Sequence, residues 1–106
     1  MFSTIRRYTV ASGIARQIAP RVEAELLPRL RAIPGFVSYE LIVGGPDEGR
    51  DALASVSTYT TRDGVDESGR VAARWVADSL KGIDIQPTGT TTGEVLLSTQ
   101  MAGSAA

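Results

Sequence analysis

The chain has 106 residues, 42% of them hydrophobic and 22% charged, which describes one ordinary globular domain burying roughly 65% of its unfolded surface. A net charge of −1 and a pI near 5.3 argue against nucleic acid or an anionic membrane as the main partner. With no cysteine and no histidine, disulfides, thiolate catalysis, a Ser-His-Asp triad, His-ligated haem and zinc sites are excluded.

Phe2 to Val10 alternates as a strand, with Phe2, Thr4, Arg6, Tyr8 and Val10 on one face and Ser3, Ile5, Arg7 and Thr9 on the other. The same N-terminal stretch lacks the apolar core of a secretory signal, and no apolar run approaches the ~20 residues of a membrane span. The expected compartment is the cytoplasm.

Ser12-Gly13 is a turn and helix start. Ile14, Ile18, Val22, Leu26, Leu30 and Ile33 then recur at near-turn spacing. Pro20 and Pro28 sit inside this stripe, and each removes a backbone donor and kinks a helix. Because the stripe persists past both, the reading is one bent helix over about 12–32, with a break at Pro20 as the alternative. Pro34 ends it, since proline disfavours the α-region for the residue before it. Gly35 supplies the positive φ of a sharp helix-to-strand turn.

Phe36 to Val43 reads as the second strand and Leu53 to Tyr59 as the third, joined by the polar, turn-rich run Gly44 to Asp51. Leu53, Ser55, Ser57 and Tyr59 share one face of that third strand. Thr60 or Thr61 caps a second helix, helped by Asp63 in its first turn. That helix buries Val65, Ala72, Trp75, Val76 and Leu80 and stops at Lys81-Gly82. A Thr-, Gly- and Pro-rich loop to Gly93 and a fourth strand from Glu94 to Ser98 complete the reading. Residues 1–100 form the domain, and residues 101–106 a flexible tail of small residues.

The order βαββαβ is the ferredoxin-like arrangement, an α+β fold with a four-stranded antiparallel sheet. Both helices cover one face. The other mixes Val, Leu and Ala with Ser and Thr and is too apolar to stay wholly wet. The simplest solution is a homodimer, a second copy packed sheet to sheet.

This layout, with Pro34-Gly35-Phe36, Ser55-Val56-Ser57-Thr58-Tyr59, Ala72-Ala73-Arg74-Trp75-Val76 and Gly93-Glu94-Val95, resembles the antibiotic biosynthesis monooxygenase domain family over about residues 2–98. The resemblance implies a dimeric α+β barrel with a ligand pocket between the sheet and the helices of each subunit. Some members oxidise aromatic polyketides with molecular oxygen and no cofactor, and others degrade haem. The polyketide-oxidising members carry an Asn early in strand three and a Trp at its end, where this chain has Ser55 and Tyr59. Their second-helix Tyr falls near Val65. The haem-degrading members use an Asn on strand one and a Trp and a His on helix two. Here Arg6 and Ser68 stand instead, with no histidine. The expectation is a protein without haem, metal or other cofactor.

Any acid–base step then falls to a carboxylate, Tyr, Lys, Arg, water or the substrate itself. Arg6 and Tyr8 can hold a phenolate or enolate oxygen, or Arg6 can snorkel to solvent or pair with an acidic neighbour. Ser55, Ser57 and Tyr59 can point three hydroxyls into one cavity, or hydrogen-bond within the core. Trp75 is a large core side chain or the aromatic wall of that pocket. Glu40 and Glu94 read as surface or dimer-rim carboxylates. Two functions stay open: a cofactor-independent oxygenase acting on a small aromatic or quinol-type molecule, and a non-catalytic homodimer that binds a small ligand or serves as structure.

Overall fold

The computed structural model describes residues 1–100, the side chains of Pro46 and Asp47 aside; the expected 101–106 tail lies outside the described residues. The element order is β1 (Phe2–Ala11), α1 (Ile14–Arg21), a π-helical turn (Val22–Leu26), α2 (Leu27–Arg31), β2 (Phe36–Asp47), β3 (Arg50–Tyr59), α3 (Arg62–Ser79) and β4 (Ile85–Glu94). The four strands form one antiparallel sheet in the order β2-β3-β1-β4. The ferredoxin-like α+β arrangement expected from the pattern is therefore the one formed.

The first helical stretch is continuous from Ile14 to Arg31 and does not break at Pro20, because Arg21 and Val22 keep helical φ/ψ of −72/−38 and −58/−46. Pro28 explains the π turn before it. An α-helical proline there would press its ring on the carbonyl of Ala24 and offer no N–H. The wider turn moves that carbonyl aside, and the Leu27 N–H reaches back five residues to Val22 O. The stripe read from the sequence survives: Ile18, Val22, Leu26 and Leu30 are all buried.

Two boundaries differ from the sequence reading. The β2–β3 hairpin is tighter than the expected Gly44–Asp51 loop, because both strands run on and leave only Glu48-Gly49 between them. Those two residues have φ of 54 and 79, the left-handed pair whose twist suits a hairpin. The fourth strand is Ile85–Glu94, not Glu94 to Ser98. It is an edge strand paired to β1, with almost every side chain exposed. No apolar alternation marks it, so its β-branched threonines and its backbone ladder, rather than a buried face, make it a strand. Pro87 fits there because edge strands tolerate proline, and the ladder shifts register beside it, between Arg7 and Tyr8.

Thr61 caps α3, its side chain accepting from the Gly64 N–H at 3.0 Å. Both helical layers lie on one face of the sheet, where Val10, Ile18, Leu30, Leu53, Trp75 and Leu80 form the core. The Tyr59 hydroxyl donates to Leu30 O at 2.8 Å and ties α2 to the sheet. No helix among the described residues is long and apolar enough to cross a membrane.

Candidate functional site

The site lies between the sheet and the helices. Period-two alternation puts Arg6 and Tyr8 of β1 and Leu53, Ser55, Ser57 and Tyr59 of β3 on the helix-facing side. On β2, a register shift between Phe36 and Ser38 sets Tyr39 opposite Ser57 and Leu41 opposite Ser55. Tyr39 therefore joins the same face.

A cavity of about 30 Å³ remains, walled by Tyr8, Tyr39 and Ser55 on the sheet side and by Val22, Leu26 and Trp75 from the helices. Of the residues expected there, Tyr8, Ser55 and Trp75 come together around it. Arg6 stands behind Tyr8, its Nε donating to the Tyr8 hydroxyl at 3.0 Å and its Nη1 to Gly69 O of α3 at 2.8 Å. It neither escapes to solvent nor meets a carboxylate among the described residues. Ser57 and Tyr59 share the face but lie outside the cavity wall, and the Tyr59 hydroxyl is committed to Leu30 O. Ser55, not Ser57, is the β3 serine on the cavity wall.

Trp75 is 1% exposed. Its Nε1 donates to Glu25 Oε1 at 3.2 Å, while the Arg21 guanidinium lies 6.0 Å from its ring centroid and donates to Ser79 O at 2.8 Å. The π turn carrying Glu25 is therefore fastened over the indole. Nothing in the sequence announced Glu25, since an i,i+4 Arg–Glu pair on a helix surface reads as ordinary solvated charge.

Tyr39 is the other residue that sequence reasoning missed. Burial pushes its phenol up to about 12, the Tyr8 phenol adds to this, and Ser55 and Arg6 pull the other way. Burial likewise raises Tyr59 to about 12. Both stay protonated at neutral pH, so Tyr39 presents a neutral hydroxyl to the cavity.

These two phenols also link stability to pH. Unfolded tyrosines lose their protons near 10, while the folded ones hold them to about 12. Stability is full below about pH 10 and is lost as pH rises toward about 12. Urea midpoints should be level up to about pH 10 and fall above it, and Tyr39→Phe combined with Tyr59→Phe should flatten the fall. A midpoint indifferent to that rise in the parent protein would show that the phenols are not held neutral.

No protein-family model matches the sequence, and no curated protein matches it. Solved structures do share its fold. A dimeric ferredoxin-like protein from an uncultured marine organism superposes with a TM-score of 0.68 at 13% identity, over 92% of this chain and 97% of that one. A candidate antibiotic biosynthesis monooxygenase from Nitrosomonas europaea gives 0.58 at 15% identity, over 92% and 100%. A mutant of MhuD, solved with two manganese protoporphyrin IX molecules bound per active site, gives 0.61 at 19% identity, over 92% and 97%. The fold is thus of the antibiotic biosynthesis monooxygenase type.

Proposed function

We propose that the chain is a homodimeric, monooxygenase-like protein that binds a small aromatic or quinol-type molecule between sheet and helices and passes its electrons to oxygen without a cofactor. The observation that carries this reading is the lopsided wall of the cavity. Tyr8, Tyr39 and Ser55 set hydroxyls on one side, with Arg6 behind them, and Val22, Leu26 and Trp75 make the rest apolar or aromatic.

Such a wall suits a ligand with one oxygen and an aromatic body. The hydroxyls and Arg6 stabilise the ligand's enolate or phenolate, and the apolar wall excludes water. The anion itself then reduces oxygen. For an anthrone, a CH2 group and O2 give C=O and water, so the atoms and electrons balance with no further reductant. A ligand of that size exceeds the cavity of about 30 Å³, so on this reading Tyr39 and Leu41, half-buried on the β2 side, swing outward to admit it.

The volume of about 30 Å³ favours a second reading, a homodimer without catalysis, because that space holds about one water. Oxygen uptake with anthrone and a hydroquinone panel separates the two. The oxygenase reading expects uptake above the buffer rate, with one O2 consumed per anthrone, and loss of that uptake in Ser55→Val. Quenching of Trp75 fluorescence without uptake leaves a binding protein, and neither signal leaves a structural dimer.

A further inference from the structure

The face of the sheet turned away from the helices has a specific charge pattern. The registers place Ser38, Glu40, Ile42 and Gly44 of β2 beside Thr58, Val56, Ala54 and Ala52 of β3, and these beside Ser3, Ile5, Arg7 and Thr9 of β1. The middle of this grid is apolar. Ile42 is 52% exposed, and Ile5, Ala54 and Val56 are half-buried. Shallow grooves of about 350 Å³, beside Arg7, Ile42 and Ala54, and about 290 Å³, beside Glu40 and Thr58, open on it.

Arg7 and Glu40 are exposed across that apolar middle, and neither joins an ion pair among the described residues. Arg7 makes only a hydrogen bond to Thr91 Oγ1 at 3.1 Å. Arg50, at the far end of the face, is already paired with Asp84 at 2.7 Å. Arg7 and Glu40 stand two strands apart and two residues out of level, roughly 12 Å between Cα atoms at ordinary strand spacings. One positive and one negative charge flank an apolar centre, so the face is complementary to itself.

We infer that a second copy of this chain covers this face with Arg7 of each copy on Glu40 of the other. This rests on the homodimer reading above and adds the pairing that orients it. A two-fold axis in the plane of contact, crossing the Arg7–Glu40 line at its midpoint and at right angles, forms both ion pairs at once. Any orientation that sets Arg7 over Arg7 repels, so the pair selects one docking geometry. Enclosed by Ile42, Val56 and Ile5, the charges lose water, and removing one partner leaves the other buried alone.

Dimer dissociation constants, read by dilution in light scattering, test the pairing. Arg7→Glu and Glu40→Arg should each raise the constant by about 100-fold, and the double reversal should return it to within about tenfold of the parent. Arg7→Gln and Glu40→Gln serve if a reversed variant does not fold, each weakening the dimer by at least about tenfold. Far-UV circular dichroism of the dissociated chains checks that only association has changed. Single variants that dimerise like the parent overturn the pairing and leave the homodimer standing. Weakened singles without recovery in the double also overturn it, because the two charges then do not meet. A monomeric parent ends both readings.

Discussion

Replacing Trp75 with Ala is expected to cost about 3–5 kcal/mol, a large share of the 5–15 kcal/mol or so that holds a domain of this size folded. The indole is 1% exposed and packs α3 against the π turn and the sheet. Truncation leaves a cavity where about 30 Å³ is already open, and the surrounding strands are too constrained to close over it. It also removes the donor to Glu25. Trp75→Phe narrows these contributions, because it keeps an aromatic body in place while losing the Nε1 hydrogen bond, worth about 1 kcal/mol, and the smaller remainder of the indole's buried area. Urea denaturation of the three proteins gives both values. If Trp75→Ala loses less than about 1 kcal/mol, the indole is not a packing centre and the description of the core is wrong.

Gly35→Ala is expected to destabilise by about 2–3 kcal/mol, much more than a surface alanine normally does. Gly35 has φ +89, and a Cβ placed on it would stand 2.6 Å from Thr60 Oγ1. The left-handed backbone alone costs an L-residue about 1–2 kcal/mol, and the contact adds to it. Neither end of the turn yields easily. The Gly35 carbonyl accepts from the Thr60 N–H at 2.8 Å, and the next residue, Phe36, meets Tyr59 edge to face at 5.7 Å. Adding Thr60→Ala should relieve the contact and recover part of the loss while leaving the cost of φ. Equal thermal midpoints for Gly35→Ala and the parent would refute this account of the turn.

Pro34-Gly35 was legible because the two residue types act through their own backbones, one by excluding the α-region and the other by entering positive φ. The helix stripe from Ile14 to Leu30 and the alternation of β1 and β3 were legible for a similar reason, since burial on one face imposes its period on the chain. A cap at Thr60 or Thr61 followed from their place before an amphipathic run, with the structure deciding for Thr61, and the stripe was right to outvote both prolines.

What failed had no periodic signal. β4 is exposed on nearly every residue, so nothing in its side chains had to alternate, and only pairing with β1 makes it a strand. The site was half legible. Tyr8, Ser55 and Trp75 lie on faces that alternation or helical spacing predicts, and they do line the same cavity. Tyr39 entered through a register shift that no local pattern encodes. Tyr59 left because its hydroxyl found Leu30 O, 29 residues away. Local alternation and helical spacing determined which way the side chains of β1, β3 and the helices face. Only the tertiary structure decided which of them meet, because meeting depends on strand register and on distant hydrogen-bond partners that exist only once the chain has folded.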